Sequence, residues 1–141
     1  MREEAGLPGM KVLEFAFDTD EPSDYLPHMY GKNTVCYTGT HDNMPVGQWL
    51  GSVDQKTRKR AEDYMCLTKQ EGFIWGVIRT AYSSVSDLCM IQMQDCLELG
   101  SEARMNFPGT SCGNWTWRAL PGSCADALAE KLRRLATVYH R

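Results

Sequence analysis

Branched and aromatic residues in this chain gather into short runs that break abruptly at small polar turns. Val12, Leu13, Phe15 and Phe17 predict a strand over 11–17, entered from the turn Gly6-Leu7-Pro8-Gly9 and left through an acidic loop. Pro27 and Gly31 make 23–33 an ordered loop rather than a helix. A second strand is predicted over 34–38. Asp54 is placed to cap a helix running to about residue 69, and Ile74, Val77, Ile78 and Ala81 share one face of a helix over 73–84. A third strand follows over 88–93, then a long loop over 94–121 with little periodicity. Ser123 offers an N-cap to a closing helix whose Leu128, Leu132, Leu135 and Tyr139 should face inward. Strand, helices, strand, helix is the alternation of an α/β protein with parallel strands.

The second run carries the chemistry. Cys36-Tyr37-Thr38 turns into Gly39-Thr40-His41-Asp42-Asn43, which sets an imidazole and a carboxylate at a strand end. A second polar cluster, Glu102 to Thr110, follows another apolar run, so the two loop clusters are expected to share a site. Taken alone, a His-Asp pair at a strand end is more often a structural hydrogen bond than a functional one.

Composition narrows the classes. Hydrophobic residues at 43% and charged residues at 23% describe a globular domain rather than a disordered tail or a membrane protein. A net charge of -3 gives no reason to expect nucleic acid, and the basic stretch Lys56-Thr57-Arg58-Lys59-Arg60 is followed at once by Glu62 and Asp63, as on a solvated helix face. The six cysteines show no metal-ligand spacing. The start Met1-Arg2-Glu3-Glu4-Ala5 has no apolar signal region, so free thiols in a reducing cytoplasm are expected. A metal reading on His28, His41 and Asp42 lacks defined spacing, and neither a phosphate loop nor a serine elbow is present.

Several blocks resemble one family in register. Gly6-Leu7-Pro8-Gly9-Met10-Lys11-Val12-Leu13, Tyr25-Leu26-Pro27-His28, Thr38-Gly39-Thr40-His41-Asp42-Asn43, Gln94-Asp95 and Leu99-Gly100-Ser101-Glu102-Ala103-Arg104-Met105-Asn106 are similar to 4-alpha-glucanotransferases of the amylomaltase or disproportionating-enzyme type. Pro108-Gly109-Thr110 and Gly113-Asn114-Trp115-Thr116-Trp117-Arg118 extend the resemblance over nearly the whole chain. It implies an enzyme that moves α-1,4-glucan segments between maltooligosaccharides on a (β/α)8 barrel, with no metal or organic cofactor. By that alignment residues 1–141 are a partial barrel domain, with the predicted strands as the sixth to eighth and no separate second domain. A complete barrel needs about 250 residues, so a chain of 141 cannot hold one.

The resemblance also distributes roles. Retaining glycoside chemistry uses a carboxylate nucleophile and a carboxylic acid about 5 Å apart. In the family both lie on strands that precede this segment, so the isolated chain is expected to be inactive and a separate N-terminal portion is its implied partner. Glu3 and Glu4 are read as solvated charge, not as substitutes. Asp42 matches the family's third carboxylate, a transition-state stabiliser, while His41 and Asn106 match groups that contact sugar. Arg104 is expected either to pair with Glu102 or Asp95 or to contact substrate, and Trp115 and Trp117 to pack or to stack on sugar. Asn43-Met44-Pro45 departs from the family's usual sequence, which puts acceptor-side contacts in question. A competing reading keeps Asp42, His41 and Asn106 for sugar contact in a noncatalytic glucan-binding module.

Overall fold

The computed structural model describes residues 4–141. Glu3 and the rest of the Met1–Glu3 start lie outside the described residues, and Glu4 is exposed. Three parallel strands form one sheet in the order β1 (Gly9–Val12), β2 (Thr34–Tyr37), β3 (Leu88–Met90), with Gly9 opposite Thr34 and Val35 opposite Leu88. Parallel neighbours require long crossovers. The one between β2 and β3 contains three helices: α1 (Val46–Ser52), α2 (Gln55–Met65) and α3 (Phe73–Tyr82). After β3 come a single helical turn, α4 (Met93–Cys96), a 3-10 turn over Ser101–Ala103, and the closing α5 (Asp126–Val138). The fold is therefore α/β, with a small parallel sheet. Among the described residues no helix is long and apolar enough to cross a membrane.

The first strand is shorter than its hydrophobic run predicts. Leu13–Phe17 forms a 3-10 helix, because Leu13, Ala16 and Phe17 all pack into the core whereas alternation would have buried Phe15. Phe15 is instead exposed and meets Tyr25 edge-on at 5.4 Å, and Glu14 is buried. The third strand likewise stops at Met90; Met93, the last residue of its predicted run, opens α4, whose remaining residues Gln94, Asp95 and Cys96, all buried, begin the predicted 94–121 loop. Pro27–Met29 adds one 3-10 turn to the 23–33 loop.

The helices follow the pattern more closely. Asp54 caps α2, its Oδ1 accepting the backbone N–H groups of Lys56 at 2.8 Å and Thr57 at 3.0 Å. The helix ends sooner than expected, where Cys66 adopts a left-handed conformation with φ 52°. The basic stretch on α2 engages acids: Arg58 meets Glu62 at 2.8 Å, Lys59 meets Asp63 at 2.7 Å, Arg60 meets Asp20 at 3.0 Å, and Lys56 also pairs with Asp20. α1 has no clear sequence signature, because Gly47 and Gly51 interrupt it. Gly47 is needed for close packing, since a Cβ there would lie 3.2 Å from the carbonyl oxygen of Leu99. Ser123 does not cap α5; Ala125 holds that position without a side-chain bond. Its leucines are only half-buried, and the helix contacts α3.

Candidate functional site

β2 ends at Tyr37, and the turn that follows is pinned at both ends by one carboxylate. Asp95, buried in α4, accepts the Thr38 hydroxyl on Oδ2 at 2.6 Å and the Val46 N–H on Oδ1 at 2.7 Å. Burial pushes its pKa above the ordinary carboxylate range, and those two bonds pull the other way. Within the turn, Asn43 Oδ1 accepts the Thr40 N–H at 2.9 Å and the Thr40 hydroxyl at 2.7 Å, while Asn43 N–H donates to the Thr40 carbonyl at 3.0 Å. This local bonding presents His41 and Asp42 outward, with about half of each side chain exposed.

The second loop meets them there. Asn106 Nδ2 donates to Asp42 Oδ1 at 2.6 Å, and His41 Nε2 lies 3.3 Å from the same oxygen. Among the described residues Asp42 Oδ2 has no hydrogen-bond partner. Arg104 ties the loops together through backbone: Nη2 donates to the Asp42 carbonyl and Nε to the Asn106 carbonyl, each at 2.9 Å. The expected ion pair with Glu102 or Asp95 does not form. Glu102 instead accepts the Gly100 N–H at 2.8 Å, and Asp95 is occupied by Thr38 and Val46. The Arg104 guanidinium also stacks over Phe107, 4.6 Å from its centroid.

Trp115 closes one side. Its indole lies 4.9 Å from the imidazole of His41, its backbone N–H donates to the Met105 carbonyl at 2.7 Å, and its backbone is left-handed with φ 62°. That conformation is costly for a bulky residue. Asn114 braces the same loop, accepting the Phe107 N–H at 2.9 Å. Trp117 is half-buried and sits apart from the imidazole contact. His41 also lines a cavity of about 300 Å³ together with Met10, Tyr37, Met90 and Gln92.

Beneath the turn lies a group whose role the sequence does not announce. Glu14 is 3% exposed, and among the described residues its Oε1 has no hydrogen-bond partner. Burial first, then the charges of Asp95 and Asp18, push its pKa up to about 9, with Arg104 opposing. His28, by contrast, is not brought to the site; its Nδ1 is 2.8 Å from the Tyr64 hydroxyl. Among the described residues no cluster of three or more His, Cys, Asp or Glu is arranged to hold a metal. Met44 turns inward against the core, so the unusual Asn43-Met44-Pro45 serves the turn and its packing. His41, Asp42 and Asn106 are thus brought together. Glu14 is legible in the sequence only as part of a strand-like run, and Asp95, which pins the turn, only as part of a family-like block and a candidate partner of Arg104.

An arrangement of carboxylate, amide, imidazole and indole at the ends of parallel strands suits a polyhydroxylated ligand, and comparison with known proteins gives it a family. The family profile described as 4-alpha-glucanotransferase, glycoside hydrolase family 77, matches residues 1–122. The 4-alpha-glucanotransferase of Clostridium butyricum is 47% identical over 99% of this chain and 29% of its own length. That of Thermus thermophilus is 38% identical over 100% of the chain and 30% of its own length. The structure of amylomaltase from Streptococcus agalactiae in complex with acarbose superposes with a TM-score of 0.94 at 37% identity, covering 99% of this chain and 28% of that one. The chain belongs to the 4-alpha-glucanotransferase family. It spans less than a third of the length of these relatives.

Proposed function

We propose that this chain is the C-terminal part of a (β/α)8 enzyme that transfers α-1,4-glucan segments between maltooligosaccharides, with β1, β2 and β3 as the sixth, seventh and eighth barrel strands. The observation that carries the reading is the meeting of Asp42 and Asn106, 64 positions apart, through a 2.6 Å hydrogen bond. Asn106 can donate and accept toward sugar hydroxyls, and the unpartnered Oδ2 of Asp42 is an acceptor for a ring hydroxyl. A carboxylate there also faces the positive charge that develops as the ring flattens toward an oxocarbenium ion, a differential interaction that lowers the barrier. His41 donates to the same sugar.

Transfer with retention requires two further carboxyl groups flanking the scissile bond. In this reading they belong to a preceding portion of the enzyme, and the chain alone forms no glycosyl-enzyme intermediate. The chemistry needs no metal or organic cofactor. The test is incubation of the chain with maltotriose, alone and with an N-terminal glucanotransferase portion, followed by chromatography of the products. Glucose and maltopentaose should appear only in the mixture; formation by the chain alone would refute the division of labour. Maltotriose binding that never leads to transfer in the mixture would favour a noncatalytic glucan-binding module.

A further inference from the structure

Glu14 is buried within the chain segment that precedes the site turn in sequence, yet its side chain ends directly under that turn. A Cβ at Gly39 would lie 2.9 Å from Gln92 Nε2 and 3.0 Å from Glu14 Oε1, so both polar tips press on the one position without a side chain. Both tips are buried, and neither has a hydrogen-bond partner among the described residues. The Glu14 N–H also donates to the carbonyl of Thr38, at 3.3 Å. Gln92 reaches the same point from the end of β3 and lines the cavity beside His41.

We propose that Glu14 and Gln92 form the floor on which the Thr38–Asp42 turn rests, making Glu14 a positioning residue for His41 and Asp42. The inference rests on the glucan reading for its catalytic meaning. Its physical content is separate. Glycine at 39 lets the backbone settle onto the two tips; a side chain there would have to displace the Gln92 and Glu14 tips. Among the described residues no cation lies within ion-pair distance of Glu14, and the charged groups acting on it are Asp95 from α4, Asp18 after the 3-10 helix, and Arg104 from the second loop. Two of the three repel a carboxylate, and burial opposes ionisation further. The neutral acid is the form that burial and the two neighbouring acids favour, and its carbonyl oxygen can still accept from an amide such as that of Gln92. Ionising Glu14 places a second anion near Asp95, which clamps both ends of the turn, so the turn should move.

Carbon NMR on the 141-residue chain tests this. Between about pH 6 and about pH 10, the Glu14 carboxyl, the Gly39 α-carbon and the His41 ring carbons should titrate together, and that common step should vanish in Glu14→Gln. A Glu14 carboxyl that titrates in the ordinary carboxylate range, or Gly39 and His41 carbons that do not follow it, would overturn the proposal. Should Glu14→Gln fail to fold, Gly39→Ala serves instead: its methyl meets both tips, so maltotriose affinity should fall about tenfold at neutral pH with an unchanged far-UV spectrum. Wild-type affinity and unshifted His41 resonances in Gly39→Ala would also overturn it. The titration uses no sugar, so a chain that never binds maltotriose counts against the glucan reading while the titration still decides the role of Glu14.

Discussion

Glu14→Gln should make the protein more stable, by an amount that grows with pH. In the unfolded chain Glu14 titrates at the ordinary value of 4.5, and in the folded protein at about 9. Below the lower value both states are protonated and the group contributes no pH dependence. Above it the unfolded chain gives up the proton while the folded protein keeps it, so folded-state stability declines as the pH rises toward the folded value. The loss is about 1.4 kcal/mol for each pH unit, or about 3 kcal/mol at neutrality and about 6 kcal/mol at the folded value, as upper limits. Gln has the same shape and no proton to lose. Urea denaturation followed by tryptophan fluorescence, from about pH 4 to about pH 9, should give a difference between variant and parent that is near zero at the acid end and reaches about 3 kcal/mol at neutrality. Asp95 has a pKa shifted in the same direction, but it is present in both proteins, so the difference curve reports Glu14 and its repulsion with Asp95. A flat difference curve would refute the assignment of Glu14 as a neutral buried acid.

Asp95→Ala should cost about 2–5 kcal/mol, because it strands the Thr38 hydroxyl and the buried Val46 N–H together; Asp95→Asn, which keeps one acceptor, should cost about half as much in the same urea titrations. Asp54→Ala removes the cap of α2 and should cost about 1 kcal/mol, read as a lowered thermal midpoint with no change in the site. In a complete glucanotransferase carrying this segment, Asp42→Asn should lower kcat by about a hundredfold or more, with a much smaller change in KM, since the lost charge matters mainly in the transition state. Near-normal kcat in a well-folded Asp42→Asn enzyme would remove Asp42 from the chemistry.

The sequence pattern was most legible where one physical effect dominates. Asp54 reads as a cap because its carboxylate has nothing else to do at that position, and α3 reads as a helix because its apolar face is uninterrupted. The strand tip at Thr38–Asn43 was visible for a similar reason: a small-residue turn follows a buried run. What escaped were features decided by tertiary partners. Alternation over 11–17 suggested a strand, but Leu13, Ala16 and Phe17 found a common core, and the backbone tightened into a 3-10 helix that carried Glu14 inward. The glycines of α1 disguised a helix whose packing needs one of them, Gly47. Arg104 could be paired on paper with either of two nearby acids, yet each acid had a stronger claim on it: a backbone N–H for Glu102, and two groups of the turn for Asp95. The meeting of Asp42 with Asn106 was anticipated only as two loop clusters sharing a site, since no local signal sets the contact.

The carboxylate clamp at Asp95 also has a kinetic meaning. Its two bonds close loops of 57 and 49 positions, and the Asp42–Asn106 bond closes one of 64, whereas α2 and α3 are assembled from neighbours. Chain entropy makes such distant contacts slow to form. On refolding, helical signal should therefore recover first and the environment of Trp115 later, so the chain passes through an interval in which its scaffold is largely built and its Asp42–Asn106 corner is still open. Stopped-flow circular dichroism alongside fluorescence from a variant whose sole tryptophan is Trp115 would resolve the two phases, and coincident traces would show that the corner is assembled with the helices.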